Sequence, residues 1–314
     1  MKHNIQYFFD EQLKIWNFAR ENYRRLEHLK IKTVAVNGCE YKIQHNPHRQ
    51  LSTEAKVNQK SIESRECFLC EKNRFSEQMK IVFNKNYSIL VNPYPIFSKH
   101  FTIATNEHLA QSILDKIGDM LDLTETMGDC VVFYNGPKCG ASAPYHAHFQ
   151  AVSKGFLPLQ NQWKNHTMET PITNLSVIRC PFPAFVVSSE DKKESEAIFK
   201  EIYLQLSLFK NAQNIANDLG KVLEPMMNIL AWRENGKYVI IVIPRAKHRP
   251  NCYFDRGDDN ISISPASVDL GGVFIVPLQK DFEKLTVKNI KNILNEVCLN
   301  KNDFQQIIEK LLKK

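Results

Sequence analysis

Residues 138–152 read KCGASAPYHAHFQAV, a loop of small residues running into two histidines and a glutamine at every second position. In an extended strand, successive side chains point to opposite faces. His146, His148 and Gln150 would then share one face, while Tyr145, Ala147, Phe149 and Ala151 pack on the other. Two imidazoles and an amide are costly to bury without partners, so the strand is predicted to be either wet or chemically active. An imidazole near its ordinary pKa of about 6.5 is a competent nucleophile toward phosphorus at neutral pH. If His148 attacks a phosphoryl group, the resulting phosphoramidate can pass that group to a second acceptor, with Gln150 beside the same phosphate. The loop upstream, NGPKCGASAP (135–144), offers Gly136 and Gly140 for close backbone approach and Asn135 and Ser142 as donors. The bland alternative is a coincidental histidine pair on a solvated strand.

Outward from this segment, the pattern is α+β with a mostly antiparallel sheet. YSILV (87–91), HFTIAT (100–105) and DCVVFYN (129–135) read as strands. A helix is expected over 111–127, with Ile113, Ile117, Met120 and Leu121 on one face. Helical periodicity also marks 8–26, about 190–211, 287–298 after Thr286 as N-cap, and 303–312. Asn37-Gly38 and Asn235-Gly236 each divide two apolar-alternating runs, a strong hairpin signal. PAFVV and GGVFIVP (271–277) read as further strands, and 45–66 as a polar connection. A faint echo between FTIATNEH (101–108) and VIIVIPRAKH (239–248) suggests a duplicated unit.

The bulk numbers exclude several classes. At 314 residues and 43% hydrophobic content, the chain can bury one or two sizeable cores. A net charge of +7 suits a phosphate-bearing ligand but is too diffuse for nucleic acid, which needs a clustered basic and aromatic stripe. No apolar run reaches the roughly 20 residues that span a bilayer, and the N-terminal stretch does not read as a signal peptide. With eight cysteines and no secretory signal, reduced thiols or metal ligands are expected, in a cytoplasmic protein.

CFLC places Cys67 and Cys70 at the spacing of half a tetrahedral zinc site. His100, His108 and His146 are available donors; two buried thiols are the alternative. A thioredoxin-like βαβ context for redox chemistry is absent. In PRAKHRP (244–250), Arg245, Lys247 and Arg249 alternate and could reach an anion from one side, or form an ordinary basic loop. Trp16, Trp163 and Trp232 are either stacking platforms or core.

These motifs together resemble the HIT superfamily, in the branch of galactose-1-phosphate uridylyltransferases, diadenosine tetraphosphate phosphorylases and GDP-hexose phosphorylases. HAHFQ is similar to the branch's H-x-H-x-Q signature, and ECFLCEKN to its zinc-binding cysteine pair. NPHRQLSTEAK resembles the segment before that pair, and VNPYPIFSKHFTIATNEH the HIT strand-loop-strand ending in histidine. The bacterial DUF4922-type proteins match best. The resemblance spans about residues 45–155, with PRAKHRP and GGVFIVP as weaker matches beyond. It implies two HIT-like units: residues 1–165 catalytic, and residues 166–314 a degenerate copy completing the site. It also implies a covalent nucleotidyl intermediate on His148, phosphate stabilisation by Gln150, and Zn2+ on Cys67, Cys70, His108 and His146. Asn92 would touch the nucleoside. The expected substrates are a nucleotide sugar or dinucleoside polyphosphate, with phosphate or a sugar phosphate as acceptor, in a monomer or homodimer. Hydrolysis in the same fold and a non-catalytic zinc-stabilised nucleotide sensor are the alternatives. Three departures stand out. Ala147 replaces the proline of the uridylyltransferases, one extra residue precedes His146, and Phe149 follows His148 as in the phosphorylases.

Overall fold

The computed structural model describes residues 5–47, 66–209, 214–216 and 223–313. From residue 48 to 65 the expected polar connection, with the NPHRQLSTEAK lead-in, lies outside the described residues, as does the expected helix end at 210–211.

The strands, in chain order, are β1 (Lys30–Val36), β2 (Cys39–His45), β3 (Lys80–Phe83), β4 (Tyr87–Val91), β5 (His100–Thr105), β6 (Cys130–Asn135), β7 (His148–Ser153), β8 (Thr167–Glu169), β9 (Leu175–Ile178), β10 (Ala184–Ser189), β11 (Asn214–Ala216), β12 (Leu223–Pro225), β13 (Met227–Glu234), β14 (Lys237–Pro244) and β15 (Val273–Val276). Ten of them form one sheet in the order β3-β4-β5-β7-β6-β13-β14-β10-β9-β8, and every pairing in it is antiparallel. Read inward from either edge, the chain order is first, second, third, fifth, fourth. A helix follows the third strand in each half: Ile117–Thr126 and Lys192–Leu208. The halves meet where β6 pairs with β13, Asn135 opposite Asn228.

This topology supports the expected duplication but corrects its alignment. The 101–108 and 239–248 segments are not equivalent, because β5 is a third strand and β14 a fifth. The counterpart of β14 is β7, the histidine strand. The β6–β7 connection is the long loop 136–147, whereas the β13–β14 connection is the tight Asn235-Gly236 turn, both residues at positive φ. The second half therefore has a tight turn in place of the loop and no histidine on β14.

The sheet is buried on both faces, which explains the unbroken apolar run of β14. One face packs through Val132, Phe185 and Val242 on the helices Ile117–Thr126, Lys192–Leu208 and Lys301–Leu312. The other packs through Phe133, Val186 and Ile241 on the helix Val287–Val297 and on the three-stranded sheet β1-β2-β15. Burying each such side chain is worth roughly 1.5–3 kcal/mol. Trp16, Trp163 and Trp232 are all buried and belong to the core.

Both predicted hairpins form, Asn37 and Gly38 taking the positive φ that such a turn demands. Thr286 caps the helix Val287–Val297 through Asn289 N–H. The helix expected over 111–127 begins only at Ile117, and the single helix expected over 8–26 breaks at Trp16 into Ile5–Ile15 and Asn17–Arg24.

Candidate active site

β7 begins at His148, so only His148 and Gln150 obey the strand alternation; His146 lies in the bend before it. Opposite them on β5, Ala104 pairs with His148 and Thr102 with Gln150. His100, Thr102, His148 and Gln150 thus form a polar strip on one face of the sheet. His148 is 5% exposed. Its Nδ1 lies 2.8 Å from the His146 carbonyl. A carbonyl can only accept, so Nδ1 carries the proton and Nε2 keeps a lone pair. Burial pushes the ring's pKa down to about 4, against the opposing pull of that backbone bond. The ring is therefore neutral at pH 7. The Gln150 Oε1 lies 2.8 Å from His100 Nε2. With that oxygen occupied as an acceptor, the amide NH2 is left as a donor toward the strip.

Cys67, Cys70, His108 and His146 converge from three separate segments, their ligand atoms all within 4.8 Å of one another. Cys67 Sγ is 3.2 Å from His146 Nδ1, and Cys70 Sγ is 3.1 Å from His108 Nδ1 and 3.6 Å from His146 Nδ1. A sulfur–nitrogen edge of a tetrahedral zinc site is roughly 3.6 Å long from ordinary bond lengths. His146 Nε2 donates to the Thr105 carbonyl at 2.8 Å, which leaves Nδ1 as the ligand atom. The tetrad can hold a metal ion. His100, the remaining candidate donor, is committed to Gln150 instead.

The 136–143 loop is clamped by the C-terminal half. A Cβ on Gly136 would lie 2.8 Å from the Met227 carbonyl, and one on Gly140 (φ +94°) 2.4 Å from Ala266 Cβ. Both glycines are thus required for packing, a reason different from the expected approach of a phosphate. Asn135 is buried, and its Oδ1 accepts from Asn228 Nδ2, Ser267 N–H and Ser267 Oγ. Ser142 is half-buried in the loop.

Arg245 corrects the sequence reading most sharply. It is 1% exposed, and all five guanidinium N–H groups are taken: by Val297 O, Asn228 Oδ1, Pro265 O, Lys247 O and His248 O. No donor remains for an anion. Lys247 pairs with Glu296 at 2.5 Å and donates to Asn251. Arg249 donates to Ser264 and stacks on Tyr253. Asn92 follows β4 beside the polar strip, its Oδ1 accepting from Tyr94 N–H and its Nδ2 donating to Thr102 Oγ1.

Two buried polar residues that the sequence reading passed over serve this site. Gln111, taken for the start of a helix, instead hydrogen-bonds the His148 backbone. Glu224 accepts from Ile113 N–H at 2.7 Å and from the Tyr134 hydroxyl at 2.6 Å, and burial pushes its pKa up to about 7. The only sequence signal for either was a polar residue beside an apolar run.

Residues 8–153 match the family described as Domain of unknown function (DUF4922), and residues 173–314 match the GDPGP1-like, C-terminal domain. Protein APA1 of Saccharomyces cerevisiae is 26% identical over 239 residues, 69% of this chain and 68% of that protein. The yeast Ap4A phosphorylase Apa2 has a similar structure, with a TM-score of 0.60 at 17% identity over 90% of this chain and 96% of that one. The same enzyme in complex with Ap4A gives 0.55 at 16% identity, over 91% and 97%. The N-terminal part of the chain is thus similar to the DUF4922 family and the C-terminal part to the GDPGP1-like C-terminal domain, and the fold is that of the yeast Ap4A phosphorylase Apa2.

Proposed function

We propose that the protein transfers a nucleotidyl group from a dinucleoside polyphosphate or nucleotide sugar to phosphate, through a covalent intermediate on His148. The observation that carries this reading is the 2.8 Å contact of His148 Nδ1 with the His146 carbonyl, which leaves Nε2 unprotonated in a buried, neutral ring. The proteins this chain resembles suggest the donor class.

In the first step, the Nε2 lone pair attacks the α-phosphorus. A P–N bond forms as the P–O bond to the leaving group breaks, and the electron pair departs on that oxygen. The leaving group is itself a phosphate or sugar phosphate, so no carboxylic acid is needed to protonate it. Positive charge developing on the ring is shared with the His146 carbonyl through Nδ1–H. In the second step, a phosphate oxygen attacks the same phosphorus, the P–N bond breaks, and Nε2 regains its pair. The products are a nucleoside diphosphate and the released first group. The Gln150 NH2 and the 136–143 loop stabilise the equatorial oxygens as charge builds. Arg245, fully engaged inside the fold, takes no part.

The tetrad suits zinc, two thiols and two imidazoles at tetrahedral spacing. When bound, zinc supplies a rigid anchor for His146 and so for the carbonyl that orients His148. Residues 1–165 form the catalytic unit in this reading and 166–314 its support, through Glu224, Asn228 and Ser267.

A half-reaction exchange experiment tests the route. With phosphate omitted, labelled leaving group (ATP for diadenosine tetraphosphate, or the sugar phosphate for a nucleotide sugar) is expected to exchange into unlabelled donor. Turnover with phosphate but no such exchange would rule out the covalent, two-step route.

A further inference from the structure

Gln111 is fully buried, and its carboxamide bonds three backbone groups at the start of β7 and the end of β6. Its Oε1 accepts from the His148 N–H at 2.8 Å, and its Nε2 donates to the His148 carbonyl at 3.0 Å. The second Nε2 hydrogen reaches the Asn135 carbonyl, also at 3.0 Å, at the end of β6. The backbone around it is tied to the same loop: Gln111 N–H donates to Pro144 O at 2.9 Å, and Leu109 O accepts from Ala147 N–H. At His148 the ladder between β6 and β7 has already ended, since their register runs only as far as Phe133 opposite Gln150. The amide of Gln111 fills that gap as a one-residue substitute strand, bonding both backbone groups of the residue that carries the nucleophile. Two residues on, Glu224 holds Ile113 N–H at 2.7 Å, so the strap is anchored from the C-terminal half.

We propose that Gln111 is the positioning residue for His148, its carboxamide pinning the His148 backbone so that Nε2 stands at attack distance from phosphorus. The inference rests on the nucleotidyl-histidine reading above. Gln111 itself touches neither substrate nor ring. Only a primary amide of this length offers one acceptor and two donors at once. Glutamate keeps the acceptor but turns repulsive oxygen toward two carbonyls, and methionine keeps the shape with neither function. A displacement of the nucleophile on the order of 1 Å lowers the chemical step by about 10²-fold while leaving donor binding intact.

The test is the single-turnover formation of the nucleotidyl adduct on full-length protein, followed by intact mass, for wild type, Gln111→Glu and Gln111→Met. Rate constant and amplitude are read separately, with the diadenosine tetraphosphate concentration varied. In both variants the saturating rate constant is expected to fall by about 10²-fold. The half-saturating donor concentration should stay within about threefold, and the amplitude near one adduct per folded chain. A merely structural glutamine would lower amplitude and melting temperature but leave the rate constant of the folded fraction unchanged, and that result overturns the proposal. If one variant fails to fold, the other decides. A wild type that forms no adduct overturns the parent reading as well, so the two failures are distinguishable.

Discussion

The carbonyl of His146 lies 2.8 Å from Nδ1 of His148, so the residue that closes the metal tetrad also sets the tautomer of its neighbour. One imidazole offers Nδ1 to the tetrad because its Nε2 is bonded to Thr105. The other presents Nε2 because its Nδ1 is bonded to His146. The spacing of two residues thus couples the candidate metal tetrad to the proposed nucleophile through a single backbone carbonyl.

Cys67→Ser is expected to abolish stoichiometric zinc and to lower turnover about 10–100-fold, without removing His148. Metal content by atomic emission, alongside the melting temperature, checks this. A variant that keeps one zinc per chain and full activity contradicts the assignment.

Gln150→Leu is expected to cost about 10²–10³-fold in kcat, because it removes the donor that meets charge developing at phosphorus. KM should move much less. A rise confined to KM would make Gln150 a ground-state binding residue instead.

Glu224 predicts a stability profile with a defined sign. Burial raises its pKa from the ordinary 4.5 to about 7, so between those values the folded chain binds a proton that the unfolded chain releases. Its contribution is fully present below about pH 4.5 and is lost as pH rises through 7, about 3 kcal/mol at most. Glu224→Gln should flatten the change in unfolding free energy between pH 5 and pH 8. An unchanged slope in denaturant titrations rejects the buried ionisation.

Arg245→Met takes the guanidinium from five acceptors, four of them backbone carbonyls, of which Val297 O keeps the Ala246 N–H. The loss should be about 3 kcal/mol or more, seen as a lowered denaturation midpoint. Lys247→Ala removes a partly exposed pair worth about 0–1 kcal/mol and is expected to leave KM for the donor unchanged. A tenfold rise in KM would return Lys247 to the substrate site.

The strands and both Asn-Gly hairpins were legible because period-two apolarity and positive-φ turn residues are local signals. So was the pairing of His148 with Gln150, since H-x-H-x-Q needs only a strand to place them together. Other features were not legible. Pro144 and Tyr145 form a turn that delays β7 to His148, which takes His146 off the strip and into the cluster with Cys67, Cys70 and His108. A charge in the sequence says nothing of burial, so Arg245 read as an anion donor when its N–H groups join four segments of the fold. Gln111 read as a helix start because periodicity cannot reveal that its amide would bond a strand 37 residues away. The short strands β8 and β9 carry too little pattern to stand out, and the shared topology of the halves emerges only from sheet order.

The most direct measurement is intact-protein mass after brief incubation with diadenosine tetraphosphate, UDP-glucose, GDP-mannose and GDP-glucose, without phosphate, beside His148→Ala. The account predicts an acid-labile nucleoside-monophosphate adduct with at least one donor, discharged by phosphate and absent from the variant. An unmodified wild-type mass with every donor, and no turnover when phosphate is added, would contradict it.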